Sequence, residues 1–544
     1  MCSIDRWQSK TLVAVAVGAL LGMACPAPAG PSVIHVDTDA TGANDGASWT
    51  DAFVFLQDGL DAAISGDQIW VAEGTYHPDD GLSVTGGDRS ATFQLINGVS
   101  VYGGFTGVET MLSQRDPATN VTTLSGDLIG NDGPDFADNV ENSYHVVTGS
   151  GTDATAILDS FTIQDGNANG SGDDFFGGGM LVSTSTLSGH PTVGNCVFAD
   201  NSAGRGGGAN ATESDAEFTG CIFRDNRATN ASGGGMATLG NVSALMLLNC
   251  WFTGNAAPST SGGGVFAGGQ QTLVNCVFSG NSAQNGGAIG TLGSNTSLTL
   301  VNCTLSSNSA LLSNAGGIQA DPLDASVVTN CILWGNTNAS GADEAAQLIV
   351  GPAANVTHSL IQGLSTLAGG VGNIDADPLF VDADGLDNTI GTVDDDLRLS
   401  AGSPCIDVAD NTVLGITVDL DGNLRRTDDP GTTDGGNGIA PIVDMGAYEF
   451  GSIAVPIVFV DKTVVGGANN GTSWSNAFVE LQDALDFAAG SLGFTPEIWV
   501  AAGTYNPDDG LSVTGGGPQR DVSTHQRGGR LRRVYGRRDH AQPA

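Results

Sequence analysis

The chain has 544 residues, 81 of them glycine, with 14% charged residues and a formal net charge of −41. Such acidity argues against nucleic acid or an anionic surface as partner and is compatible with divalent cations. Low charge beside 40% hydrophobic residues fits an extended β-solenoid better than a disordered chain.

In chain order, Arg6 and Lys10 precede an apolar stretch from Thr11 to Ala24, and Ala27-Pro28-Ala29 offers a cleavage site. Residues 1–29 therefore read as a secretory signal, and the mature chain as secreted or displayed at the outer membrane or cell surface. The apolar run is too short for a membrane span, and no transmembrane helix is expected after signal removal. A lipoprotein reading would modify Cys25, with Leu21 one residue too early for a good lipobox.

Residues 30–157 read as an N-terminal cap and first coils. Val33-Ile34-His35-Val36 has strand character. Ser48 or Thr50 is placed to cap a helix whose Phe53, Leu56, Leu60 and Ile64 share a face. A helix here would cover the open end of a strand stack. Ile69-Trp70-Val71-Ala72 follows as a strand, and Ala91–Tyr102 and Ser143–Thr148 as further coils.

Residues 158–374 hold the regular repeats. The signature NCVFADN (195–201) recurs as GCIFRDN, NCWFTGN, NCVFSGN, NCTLSSN and NCILWGN, with Cys196, Cys221, Cys250, Cys276, Cys303 and Cys331 spaced by 25, 29, 26, 27 and 28 residues. Such a period marks a solenoid, in which no repeat buries its apolar face alone. Cys and the Phe or Leu two residues on share one strand face, and the Gly-, Asn- and Ser-rich breaks disfavour helix. The expected fold is all-β: a right-handed parallel β-helix solenoid with an N-terminal helical cap. Coils stack at about 4.8 Å, so each signature residue lies on its counterpart. Cys and Phe form inward columns. The asparagine five residues after each cysteine is expected to bond to the amide above and to accept left-handed backbone geometry at the corner. Disulfides suit an oxidising compartment, but stacked parallel side chains are badly oriented for them, and buried free thiols are expected.

The segments Gly286-Gly287-Ala288-Ile289 and Phe278-Ser279-Gly280-Asn281 resemble the repeats of the polymorphic outer membrane protein family. The resemblance covers about 158–340. It implies a right-handed β-helix at a bacterial surface and says little about activity.

Residues 375–450 form an acidic module. LRLSAGSPCID (397–407), DLDGNLRR (419–426) and VDMGAYEF (443–450) resemble the choice-of-anchor Q module that follows β-helices on surface proteins. The resemblance implies a unit preceding a C-terminal sorting or anchoring signal. Residues 454–516 then start the chain over: Pro507–Gly516 reproduces Pro78–Gly87 without change, and Trp474 and Trp499 match Trp49 and Trp70. A second, truncated β-helix is expected there.

Residues 517–544 hold seven of the 18 basic residues. Read one base later, permitted codons for this tail reproduce Asp88–Gln114 at 26 of 27 positions, Ser100 being the one out of reach. The tail is therefore expected to be an out-of-frame reading and disordered.

Asp200 and Asp225 each stand four residues after a cysteine and would stack about 5 Å apart, a separation suited to a glycosidase pair. Arg205, Arg224 and Arg227 are the only lysines or arginines between Arg115 and Arg398. The competing reading is a solvated corner with local ion pairs. The ordered motifs of β-helix pectinases are missing, and a lyase for anionic substrates would want more basic residues. Asp200, Asp225 and Arg224 are the catalytic candidates if catalysis exists. DADGLD (382–387) and the nearby aspartates make Asp382, Asp384, Asp387 and Asp394 candidates for calcium, although Leu386 stands where a third ligand belongs. A solvated acidic loop is the other reading. Seven histidines without ligand spacing argue against zinc.

The sequence thus favours a non-catalytic secreted or cell-surface β-helix protein, for adhesion or as an envelope component, with a surface or polysaccharide ligand. The alternative is a carbohydrate-active β-helix enzyme, either a polysaccharide lyase or a glycoside hydrolase.

Overall fold

The computed structural model describes residues 32–183, 190–240, 244–291, 296–312, 314–321, 325–365, 369–413, 417–452, 457–464, 474–490, 497–501, 505 and 531–533. The expected signal (1–29) and most of the tail (517–530 and 534–544) lie outside these.

The fold is an all-β parallel β-helix solenoid. A regular coil contributes four strands, as in Thr192–Gly194, Val197–Ala199, Ser202–Ala203 and Ala209–Thr212, before the chain rejoins the first sheet at Glu217–Thr219. Stacked coils give parallel sheets of 11, 10, 6 and 9 strands among the described residues.

Two left-handed residues turn each signature coil, and a third turns most of them. The first is the residue before the cysteine: Asn195, Gly220, Asn249, Asn275, Asn302 and Asn330 all have φ between 50° and 66°. The second precedes the signature asparagine: Asp200, Asp225, Gly254, Gly280, Ser307 and Gly335. The third opens the Gly-rich break, as at Gly206, Gly233, Gly262 and Gly286. Asn, Asp and Gly fill these places because they tolerate φ > 0 best. Further glycines serve close approach. A Cβ on Gly207 would lie 2.5 Å from the Gly234 carbonyl oxygen and 2.6 Å from the Arg227 nitrogen of the next coil.

This corrects one expectation. The asparagine five residues after each cysteine is not itself left-handed; its predecessor makes the turn. That frees its side chain to point inward. Asn201, Asn226, Asn255, Asn281, Asn308 and Asn336 expose 0% of their surface. Asn226 Nδ2 donates to Asn255 Oδ1 at 2.9 Å and to the Phe198 carbonyl at 2.9 Å, and the Asn226 backbone N–H donates to the same Asn255 Oδ1 at 3.1 Å. The pattern repeats up the stack and ends where Asn336 Nδ2 donates to Gln347 Oε1 at 2.8 Å. Gln347 belongs to the short helix Glu344–Gln347, whose first turn is capped by Asp343.

Beside the ladder run the apolar columns. Leu124, Ile163, Phe198, Phe223, Phe252, Phe278, Leu305 and Leu333 lie in register. The four phenylalanines stack nearly parallel, with centroids 4.6, 4.6 and 4.8 Å apart. The ladder cysteines and Cys405 are free and buried, as expected for the column. The ladder thiols donate to carbonyls two residues back, as from Cys331 to Thr329 at 3.2 Å. Burial pushes the Cys196 thiol up to about 12.

The N-terminal helix is Leu56–Ala62, and Leu56 and Leu60 join the core beside Val36 and Ile69. Two details differ from expectation. Phe55 is the N-cap, without a side-chain bond, while Ser48 Oγ donates to Asp51 at 3.0 Å. Ile64 lies past the helix end and is exposed.

Residues 375–450 run along the outer face of the 10-stranded sheet. Val277 is buried against Leu397, Ala447 and Tyr448, and Ile332 against Leu399, Cys405 and Met445. Asn275 Nδ2 donates to the Val418 carbonyl at 2.8 Å, and the Gly446 N–H to Asn330 O at 2.8 Å. In the duplicated segment, Ile457–Val460 pairs with Glu497–Val500 in parallel, as Val33–Val36 pairs with Gln68–Ala72. The expected disorder of the tail does not extend to Leu531–Arg533. This strand pairs with Glu497–Val500, where the first copy has Ser100–Phe105.

Two outcomes follow from the columns. The cysteines from Cys196 to Cys331 should resist a thiol reagent in the native protein and titrate as reduced after denaturation; intact disulfides would reject the alignment. Phe252→Ala should cost about 3–5 kcal/mol, and Asn255→Ala about 1–3 kcal/mol for each buried partner left unpaired. Denaturant melts of the two variants measure both.

Candidate functional site

The second corner of the coil faces solvent, and there the charged candidates gather. Asp165, Asp200 and Asp225 are equivalent left-handed residues on three successive coils, since Gln164, Ala199 and Arg224 are in register just before them. A loop from Gly126 to Ser143 arches over this column. It is pinned at its base by the Ser143 N–H on Gly126 O at 2.9 Å and by Asn142 Nδ2 on Asp165 O at 2.6 Å. Between loop and column lies a cleft of about 670 Å³. Asp127, Asp132, Asp135, Asp165, Asp200 and Asp225 line it, opposed by Arg227.

The structure brings the three catalytic candidates together. One guanidinium nitrogen of Arg224 lies 3.3 Å from Asp200 Oδ2 and 3.2 Å from Asp225 Oδ2. Both aspartates are half-exposed. Burial raises the Asp200 carboxyl, Arg224 lowers it, and Asp225 and Asp165 raise it again. Burial likewise raises Asp165.

The loop carries two carboxylates that sequence reasoning missed. Burial would raise Asp127, but it accepts backbone N–H groups from Gly130 at 2.7 Å, Asp132 at 3.0 Å, Asn131 at 3.2 Å and Ile129 at 3.3 Å, which hold it below the usual range. Asp132 is pushed up to about 6, by burial first and then by Asp127, Asp165 and Glu141, against one hydrogen bond from Asn142. The cleft therefore holds a low carboxyl and a high one. A sequence signal existed for Asp165, which stands four residues after Phe161 as Asp200 does after Cys196. None existed for Asp127 and Asp132, because the loop lies outside the repeat.

The calcium candidates lie together in the turn before Asp396–Leu399. Asp394 accepts from the Asp387 N–H at 3.1 Å and from Thr392 Oγ1 at 2.5 Å, and Asp387 Oδ1 accepts from the Thr389 N–H at 2.7 Å. Asp382 is raised by burial and by Asp384 beside it. This turn leans on the corner column: a Cβ on Gly280 would meet Gly391 at 2.4 Å.

The three motif pieces of the acidic module converge. Arg425 is fully buried; it donates to Asn275 Oδ1 at 2.9 Å and to Gly446 O at 2.6 Å, and lies 3.4 Å from Glu449. The Asp407 N–H donates to Asp444 Oδ1 at 2.8 Å, and the Met445 N–H to Cys405 O at 3.0 Å. Burial pushes Asp444 up to about 7.

The raised Asp132 carboxyl links stability to pH. An unfolded aspartate titrates near about 3.9, so the folded state holds the proton up to about 6. Ionisation then opposes folding, and stability falls as pH rises between those values. Relative to wild type, Asp132→Asn should gain melting temperature across this window and change little below it. Parallel melting curves at every pH would reject the shift.

Residues 179–350 match the family model of the right-handed beta helix region. No curated protein matches the chain. Two solved structures are similar at a low level. A pectate lyase is 15% identical, with 77% of this chain and 97% of that chain covered and a TM-score of 0.40. A rhamnogalacturonan lyase is 14% identical, with 68% and 97% covered and a TM-score of 0.33. Likeness at this level carries no argument about activity. Among the described residues no helix is long and apolar enough to cross a membrane. The chain is an all-β parallel β-helix solenoid whose central coils match the right-handed beta helix region.

Proposed function

We propose that this chain is a non-catalytic secreted or cell-surface β-helix protein that presents its solenoid for adhesion or as part of an envelope. The observation that carries the reading is the state of the Asp200–Asp225 pair. Arg224 bridges both carboxylates in a solvent-exposed corner. A retaining pair needs one free nucleophile and one free acid facing a sugar. The cleft also carries strong negative charge, which repels uronate polymers. A neutral surface glycan is the ligand class it tolerates. The signal-like N-terminus, the likeness to polymorphic outer membrane repeats and the choice-of-anchor Q-like module support a surface location. The module's three motif pieces forming one packed unit is consistent with that assignment. The same likeness supports the domain boundaries at 157, 374 and 450.

A carbohydrate-active enzyme remains the second reading because Asp127 and Asp132 titrate apart within one cleft. The full chain should bind members of a panel of neutral and anionic polysaccharides without releasing reducing ends or unsaturated products. Turnover abolished by Asp200→Asn, Asp225→Asn or Asp132→Asn would establish the enzyme instead.

A further inference from the structure

The acidic module contains a second carboxylate cluster, away from the cleft and from the turn at 382–394. Asp407 follows Cys405 and Ile406, takes φ 56°, and exposes 0% of its surface. Its backbone is satisfied: its N–H donates to Asp444 Oδ1 at 2.8 Å, and its carbonyl accepts the Gly435 N–H at 2.9 Å. Its side chain is not. Neither carboxylate oxygen of Asp407 has a hydrogen-bond partner.

The segment Asp428–Asp434, DDPGTTD, closes over it. Asp429 shapes this loop from within, accepting from the Gly431 N–H at 3.2 Å and from Thr432 Oγ1 at 2.8 Å. Asp434 Oδ1 accepts the Ile442 N–H at 3.2 Å, and one oxygen from each of Asp407, Asp428 and Asp434 lies within 4.8 Å of the others. Asp428 and Asp434 are exposed, so the cluster opens to water on one side. The neighbouring arginines are committed elsewhere: Arg425 to Asn275, Gly446 and Glu449, and Arg426 to the Asn411 carbonyl at 3.2 Å. Among the described residues no salt bridge reaches the three aspartates.

A buried carboxylate without partners beside two more carboxylates is strongly unfavourable unless something positive sits among them. We infer that Asp407, Asp428 and Asp434 bind a divalent cation, of which calcium fits best. All ligands are hard carboxylate oxygens, which suit calcium or magnesium and not zinc or copper. Calcium takes oxygens at about 2.3–2.6 Å in flexible geometry, so oxygens up to about 5 Å apart can share one ion, whereas magnesium demands a tighter octahedron. The exposed side leaves room for water to complete the shell. Asp407 would anchor the ion, and Asp428 and Asp434 would be drawn in by it, locking the loop onto the module.

The test uses the full chain, stripped with chelator and titrated with calcium by calorimetry and thermal melting, with magnesium as comparison. Calcium should bind and raise the melting temperature, and magnesium should do so less. Asp407→Asn and Asp428→Asn should each weaken calcium binding about tenfold or more, while Asp215→Asn, at an exposed aspartate of the solenoid, should leave it unchanged. Without metal, Asp407→Asn should melt no lower than chelated wild type, since it removes a buried charge. If that variant fails to fold, exposed Asp428 decides alone. Absence of calcium binding at millimolar concentration, wild-type affinity in Asp428→Asn, or loss of binding in Asp215→Asn would overturn the site.

Discussion

Each buried residue of a regular coil lies on its counterpart in the next coil, often the same residue type, and this stacking constrains the whole molecule. A side chain in such a column must be complementary to itself at about 4.8 Å. Few polar groups qualify. A carboxylate repels its neighbour, and so does an ammonium or guanidinium. A primary amide carries a donor and an acceptor on opposite sides, so it can give to one neighbour and receive from the other. The asparagines from Asn201 to Asn336 do this with no exposure to solvent. Phenyl rings and thiols also stack on themselves without penalty, and they fill the remaining inward positions.

The same constraint explains where charge appears. Asp165, Asp200 and Asp225 form a like-charged column, which occurs only at a corner open to water and beside Arg224. From Gly254 onward that corner position is Gly or Ser, and the turn around Gly391 leans on it. The acidic cleft therefore ends where the acidic module begins. The module avoids the stacking rule by not being a coil. Its buried charges are arranged around single groups, with Arg425 tying Glu449 and Gly446 to Asn275 of the solenoid. Removing one partner from such a network costs more than the network contributes, because it strands the other charges in a dry environment.

What was legible in the sequence is what repeats. The spacing from Cys196 to Cys331, the i, i+2 relation of Cys and Phe, and the asparagine five residues on were enough to place the columns and the ladder. The exact corner geometry was less legible. Asparagine occurs at two positions of the signature, and sequence alone did not separate the left-handed one before the cysteine from the amide-ladder one after it. Nothing periodic marked the arching loop with Asp127 and Asp132, nor the meeting of Asp407 with Asp428 and Asp434 across some 20 residues of chain. Such contacts depend on how irregular loops close. The aspartates that looked ligand-like, at 382–394, are close in sequence, and two of them, Asp387 and Asp394, also accept backbone N–H groups of their own turn.

The duplicated segment shows how little sequence is needed to begin this fold. Ile457–Val460 and Glu497–Val500 pair as the first two sheet strands do, with a helix between them as in the first copy. Leu531 then stands opposite Ile498 as Val101 stands opposite Ile69. Alternating apolar residues at the right distance along the chain suffice for that pairing, because a parallel edge offers backbone donors and acceptors to any extended segment. A further coil needs more than pairing. It also needs left-handed residues at its corners and self-complementary side chains between them, and stacked arginines repel one another. Strand pairing is thus a weak filter in this architecture, and the corners and columns are the strong ones.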